Sequence, residues 1–425
     1  MVSSTAMPSR GSGSACRQLE TPPSSCSSLP LSSPSLSQPR QEEASGPAVV
    51  PPPVMSNAVA AARQALEQMC RDSAIFQSNP LHSIPRMEPE NLLVGNKLGQ
   101  GGYCTVHQVT HHDGDQMSTY ALKRLKPLVR KYPSEFRYGL MDLAVEAAFL
   151  ANLQHPNIIR IHGMSSQAFS DERDSDNEGA DGEELFGKEL YLVLDLLSES
   201  LKDRILRWKT THHFAKARKK KGTTTRKTGG GGAGNSGTLR SLLLLQSNQE
   251  ERRLRTERLL ERIRTVLPIA KAMEYLHSLG FMYRDLKPDN VGFDRTTGVI
   301  KLFDFGMAST SRVRRDPSGS RRYMAPETAQ RQFYTNSVDV YSFAIVVWEV
   351  CSAVDAPGQR PFDDLNRDQH YQKVIMGTTR PKMEHWWPRD LQRLLRHCWC
   401  KTPIQRLPFV QVVPTLEGIV DRNSG

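Results

Sequence analysis

From Leu92 onward, apolar and polar residues alternate in LLVGNKLGQGGYCTVHQVTH, the period of two expected of paired strands joined by a glycine-rich turn. STYALKRLK supplies a further strand, and Glu135 to Leu153 switches to helical spacing with few breakers. A strongly apolar run, Leu190 to Leu197, reads as one strand, and Arg252 to His277 as a long helix whose start Pro268 should kink or offset. Upstream, Asn57 to Asp72 reads as a short helix with Ser56 as its N-cap. Small strands with one helix, followed by a mostly helical remainder, predict a two-lobed α+β architecture. No internal repeat interrupts this order. The longest nearly uncharged apolar stretch, near Phe343 to Val350, falls far short of the ~20 residues that span a bilayer.

Composition sharpens the picture at three places. Met1 to about Pro53 is Ser-, Pro- and Gly-rich with almost no aromatics, so it should remain disordered. The net charge of +11 is local: Arg207 to Arg240 holds ten Lys/Arg and no acid, leaving about +1 for the rest. Asp171 to Glu184 leans the other way, with eight acids against Arg173. Both segments read as solvated insertions, the basic one running from near Trp208 through KARKKK and Gly229–Gly232 to about Ser247. KARKKK is a candidate nuclear-import run; without interleaved aromatics it argues against base readout of nucleic acid. Seven scattered cysteines make no disulfide framework, and the first residues carry no compact basic-then-apolar signal. These features predict a cytoplasmic protein, with the nucleus as the alternative, and no membrane association.

The candidate chemistry lies in five short stretches. GQGGYCTV, with Gly99, Gln100, Gly101, Gly102 and Val106, lets backbone N–H groups approach a phosphate without Cβ interference. Lys123 sits in the strand YALK beside Ala121, where a buried charge needs an anion, and Glu146 on the next helix can supply it. Taken singly, either residue would by default lie on the surface. YRDLKPDN, Tyr283 to Asn290, is followed by DFG, Asp304 to Gly306. Asp285, Lys287, Asn290 and Asp304 thus place carboxylate, amide and ammonium groups in two short turns, a set suited to Mg²⁺ and to orienting a hydroxyl nucleophile.

In this order the motifs resemble those of the eukaryotic protein kinases, over roughly Leu92 to Asp421. The resemblance implies a two-lobed kinase fold, with a tail over 1–55, a short helix and linker over 56–91, and a kinase domain over 92–422. That domain would carry insertions at about 166–187 and 208–248. It implies ATP and Mg²⁺, with Gly99 and Gly101 over the phosphates, Lys123 on the α/β-phosphates and Glu146 fixing Lys123. Asp285 would be the catalytic base, Lys287 would steady the γ-phosphate, and Asn290 with Asp304 would hold Mg²⁺. Leu194 would be the gatekeeper and Asp195 to Leu197 the hinge where adenine meets backbone. Tyr323 to Glu327 (YMAPE), Asp339 and Arg406 match the family's later landmarks, with Glu327 and Arg406 forming a buried ion pair. Lys287 and Ser320 resemble the Ser/Thr type, and the C-terminal wording resembles its tyrosine-kinase-like branch.

Three residues depart from the family pattern. Cys104 stands for the third loop glycine and is a candidate reactive thiol. Tyr283 stands for the usual His and is expected to stack under Phe305. Gly292 stands for the large residue that floors the adenine, which predicts weakened nucleotide affinity. HCWC, His397 to Cys400, reads as core cysteines rather than a zinc site. The implied activity is transfer of the γ-phosphoryl of ATP to a Ser/Thr hydroxyl of a protein substrate; the rival is a pseudokinase or scaffold that binds partners without catalysis. Ser309, Thr310, Ser311, Ser318 and Ser320 lie between DFG and YMAPE, so phosphorylation by an upstream activating kinase is expected to order this segment through Arg284.

Overall fold

The computed structural model describes residues 52–76, 81, 83–114, 116–165, 190–208, 236–354 and 359–423. The expectations for the Ser/Pro-rich tail, the acidic insertion and the KARKKK run fall outside these residues.

Strands β1 (Leu92–Gln100), β2 (Cys104–Asp113), β3 (Gln116–Leu125), β4 (Ile161–Met164) and β5 (Tyr191–Leu194) form an antiparallel sheet of order β1-β2-β3-β5-β4. The glycine-rich turn joins β1 to β2, and register places Val106 opposite Lys123 and Ala121 opposite Leu194. One helix, α2 (Pro133–Asn152), packs on this sheet with Leu143, Ala147 and Leu150 buried along one stripe.

The apolar run after Leu190 is not one strand. It breaks at Asp195 and Leu196, and the chain re-enters as β6 (Leu197–Ser200) in a second sheet with β7 (Val291–Asp294) and β8 (Ile300–Leu302). The Asp195 side chain explains the break, because it accepts from the Arg160 backbone N–H (2.8 Å), His162 Nε2 (2.8 Å) and Lys301 Nζ (2.6 Å). Both lobes are therefore tied to one carboxylate. After the helix over residues 201–208 (α3), the long helix α4 spans Ser236–Ser278. It starts well before Arg252, so the end of the expected basic loop is helical. Pro268 lies inside it rather than setting its start, in a stretch whose Leu259, Ile263, Val266, Ala270 and Met273 are buried.

Helices α5 (Pro326–Ala329), α6 (Ser337–Ser352), α7 (Arg367–His370), α8 (Arg389–Cys398) and α9 (Phe409–Arg422) complete the second lobe. Helix α6 is buried all round, the mark of a core helix. This is the α+β, two-lobed arrangement that the pattern predicts.

The first helix corrects two expectations. Helix α1 spans Pro52–Asp72, so Ser56 lies within it instead of capping it. Nor is the segment over 56–91 a free linker. Ala58, Ala62, Leu66 and Met69 form one buried helical stripe against α2, and Phe76 sits edge-on to Phe149 at 5.3 Å and beside Phe281 at 5.4 Å. Among the described residues no helix is long and apolar enough to cross a membrane.

The expected Glu327–Arg406 pair is present and bidentate, at 2.6 and 2.9 Å, with both side chains almost fully buried. Arg406 also donates to the carbonyls of Cys400 and Ser337, so its fork is satisfied. Removing either partner strands a buried charge. Glu327→Gln or Arg406→Met is expected to cost about 3–5 kcal/mol, read as a lowered thermal midpoint of the purified chain.

Candidate active site

Strand β3 turns Lys123 inward, and α2 brings Glu146 to it: Nζ to Oε2 is 2.5 Å. Lys123 also donates to Asp304 Oδ1 at 2.9 Å. Burial alone would lower the Lys123 pKa, but the Glu146 and Asp304 carboxylates outweigh it and hold the ammonium above its ordinary value. The Lys123 charge in turn holds Asp304 below the usual carboxylate range.

Asp285 collects its partners from a second direction. Its Oδ1 accepts from the Ser320 N–H and Oγ, both at 2.9 Å. Its Oδ2 accepts from Lys287 Nζ at 2.6 Å and Asn290 Nδ2 at 3.1 Å. Lys287 reaches Ser320 Oγ as well, at 3.0 Å. The loop carrying these groups hangs on Asp339, fully buried at the start of α6. Its carboxylate accepts from the backbone N–H groups of Tyr283 (2.9 Å) and Arg284 (2.7 Å) and from His277 Nε2 (3.0 Å). Such anchoring is needed because Arg284 and Asp304 both adopt positive φ, 72° and 66°, costly for residues with a Cβ.

Lys123, Glu146, Asp285, Lys287, Asn290 and Asp304 face one cavity of about 700 Å³. Gly99, Gln100, Gly101, Gly102, Val106, Ala121, Leu194, Asp195 and Leu197 line it together with Lys123, Glu146, Asp285, Lys287, Asn290 and Asp304. A Cβ built on Gly99 or Gly102 would meet nothing within 4 Å, so the turn overhangs open space. That roof and the cations Lys123 and Lys287 fit a polyphosphate. Among the described residues no cluster of three or more His, Cys, Asp or Glu could hold a metal alone. The amide and carboxylate oxygens of Asn290 and Asp304, both lining the cavity, fit a Mg²⁺ that draws its other oxygens from phosphate and water. A second cavity of about 980 Å³, between α4 and α9 around Tyr275 and Phe409, gathers no such set.

The structure also alters several expectations. Within the expected hinge, Asp195 to Leu197, the Asp195 N–H is donated to the Arg160 carbonyl (3.1 Å). Cys104 is buried and its thiol is pushed up to about 12 by that burial, which makes it a core residue and not a reactive thiol. The core-cysteine reading of HCWC agrees with Cys398, buried and pushed up to about 12, but not with Cys400, which is only half-buried and donates to Gln405 Oε1 at 3.3 Å. Tyr283 meets Phe305 edge-to-face (5.2 Å, 74°) instead of stacking, and its hydroxyl donates to the Phe303 carbonyl.

At Gly292 the expected gap is already filled. A Cβ there would lie 2.6 Å from Leu197 Cδ1 and 3.3 Å from Phe303 Cε1, and both of those side chains line the cavity. Bulk has moved from residue 292 to its neighbours. Sequence reasoning missed Phe303 although it directly precedes DFG, and it missed Asp142 on α2. The Asp142 carboxyl is raised to about 7 by burial beside the cavity.

The family model described as "Protein tyrosine and serine/threonine kinase" matches residues 187–416, more than half of the chain. The chain belongs to that family. The match begins after β3 and α2, so the glycine turn, Lys123 and Glu146 are joined to it by geometry. Serine/threonine/tyrosine-protein kinase HT1 of Arabidopsis thaliana is 35% identical over 158 residues, 36% of this chain and 39% of that protein. Serine/threonine-protein kinase STY17 of the same organism is 32% identical over 161 residues, 37% of this chain and 27% of that protein. Dual specificity protein kinase pyk3 of Dictyostelium discoideum is 33% identical over 151 residues, 35% of this chain and 11% of that protein. The chain thus spans well under half the length of these curated relatives.

Two outcomes test the site's construction. Gly292→Leu should drive a side chain into Leu197 and Phe303 and weaken nucleotide binding about 5- to 100-fold by calorimetry; adding Phe303→Thr should recover most of it. Asp195→Asn should lower stability near neutral pH by about 1–3 kcal/mol. Asp195 is held down to about 2 by its hydrogen bonds to His162, Lys301 and the Arg160 backbone, which outweigh burial. Its contribution is full above the unfolded value near ~4 and fades as pH falls toward about 2, so the gap between variant and wild type should close over that window.

Proposed function

We propose that this chain is an ATP-dependent protein kinase of the Ser/Thr type, transferring the γ-phosphoryl group to a hydroxyl of a protein substrate. One observation carries the reading: Lys123, paired at once with Glu146 and Asp304, faces the same cavity as an Asp285 held by Ser320, Lys287 and Asn290. Lys123 holds the α/β-phosphates, and Lys287 neutralises charge as the γ-phosphoryl group leaves. Asp285 accepts the hydrogen bond of the incoming hydroxyl and aims its oxygen. Asn290 and Asp304 would hold Mg²⁺, which would supply charge neutralisation when bound. The glycine turn closes over the nucleotide and limits water.

Residues 92–422 form the catalytic unit, and α1 belongs with it through its packing on α2. The preference for Ser/Thr over Tyr rests on Lys287 and Ser320 and on the names of the relatives, two of which name tyrosine or dual specificity as well. The rival, a pseudokinase scaffold, requires that this constellation bind partners without turnover.

Asp285→Asn and Lys123→Met should each lower kcat on a generic protein substrate by about 10²–10⁴-fold while the thermal midpoint shows a folded chain. Turnover that is the same in wild type and in Asp304→Asn would identify the scaffold instead.

A further inference from the structure

Arg284, next to the catalytic carboxylate, is the residue expected to await a phosphate on the segment after DFG. It is already engaged. Its side chain is 11% exposed, and Nη1 donates to Asp316 Oδ2 at 2.8 Å and to the Tyr334 hydroxyl at 3.2 Å, while Nε donates to the Met307 carbonyl. Asp316 is held from other sides too: Arg314 Nε reaches its Oδ1 at 2.7 Å, and the Tyr334 hydroxyl donates to its carbonyl at 2.8 Å. Arg314 and Tyr334 exchange backbone hydrogen bonds of 3.0 and 2.8 Å, which pins the segment to the stretch after α5.

From Asp316 the chain needs four residues to reach Ser320, whose N–H and hydroxyl bond the catalytic carboxylate. Gly319 makes that turn possible: its φ is +98°, and a Cβ would fall 2.5 Å from the Arg284 carbonyl. Two hydroxyls of the segment, those of Thr310 and Ser320, are poorly suited to modification that activates, whereas those of Ser311 and Ser318 bond, among the described residues, only the Val313 carbonyl and Met307 Sδ. Thr310 is buried and its Oγ1 donates to Asp72 of α1 at 3.1 Å, and Ser320 bonds Asp285, so a phosphate on either would meet a carboxylate.

We propose that Asp316 is a positioning residue that serves as a built-in anion for Arg284, ordering the segment from Asp316 to Ser320 around Asp285 without phosphorylation of that segment. The proposal rests on the phosphotransferase reading and names its regulation. It replaces the expected upstream activating kinase with a carboxylate of the chain itself. Two cations converge on Asp316 as they would on a phosphoryl group, with one fewer charge to neutralise.

The test uses the full chain, treated with a broad phosphatase and verified as unphosphorylated by mass spectrometry. Treated wild type should turn over ATP on a generic protein substrate as fast as untreated protein. Asp316→Asn should lower kcat about 10- to 100-fold through misplacement of the catalytic loop, with KM for ATP within about twofold. Asp316→Glu should recover most of the loss, and Arg284→Gln combined with Asp316→Asn should be no worse than either alone. Trypsin cleavage after Arg314 and Arg315 should be slow in treated wild type and fast in Asp316→Asn, a readout independent of turnover. Turnover lost on phosphatase treatment, or unchanged in a folded Asp316→Asn, overturns the proposal and leaves the kinase reading standing. No turnover in any protein, phosphorylated or not, overturns the kinase reading and this proposal with it.

Discussion

The charge on Lys123 is the constraint around which the site is arranged. An ammonium turned in from a strand is costly to bury unless anions meet it, and its two anions come from separate elements: Glu146 from α2 and Asp304 from the turn after β8. Three pieces of chain, far apart in sequence, are thus forced to one point. Behind that polar contact the same elements are held by aromatic packing. Phe149 of α2 touches Phe281, lies 6.1 Å from Phe305 and receives Phe76 from the segment after α1. Helix α1 therefore fixes the back of α2 while Lys123 fixes its front, and a shift of α2 would disturb both.

The loop bearing Asp285 has its own constraint, the opposite in kind. Positive φ at Arg284 costs conformational energy, which the structure offsets with backbone donation to Asp339 and a paired guanidinium. Arg284, which pairs with Asp316, directly precedes Asp285 in the strained turn. The contacts of the Arg284 side chain therefore bear on the same turn that presents the Asp285 carboxylate. Ser320 closes the circuit, because the segment tied down at Asp316 returns to Asp285 itself.

Much of this was legible in the chain as letters. The strand alternation from Leu92, the helix over α2 and the spacing of Lys123, Glu146, Asp285, Asn290 and Asp304 predict which groups meet. What was not legible has physical causes. Helix α1 begins at Pro52 because proline suits a first helical turn, and α4 reaches back to Ser236 although Gly237 and Thr238 continue a stretch that reads as loop. The run from Leu190 to Leu197 looks uniform in hydropathy, yet Asp195 finds three donors from two lobes there and splits the strand. Asp316 gave no local signal at all. Its importance comes from Arg284 and Arg314 arriving beside it in space.

The space at Gly292, already occupied by Leu197 and Phe303, shows why motifs report charge better than volume. A carboxylate that must orient a hydroxyl, or an ammonium that must meet a phosphate, has few substitutes at its position, so the letters Asp, Lys and Asn announce it. Apolar volume has no such address. It need only be present in the cavity, and either of two facing side chains can supply it provided their sum is kept. Here Phe303 is large and Gly292 has no side chain, with Leu197 closing the remaining space. Taken one position at a time, glycine looks like a loss; taken with Leu197 and Phe303, it leaves their side chains space that a Cβ would contest.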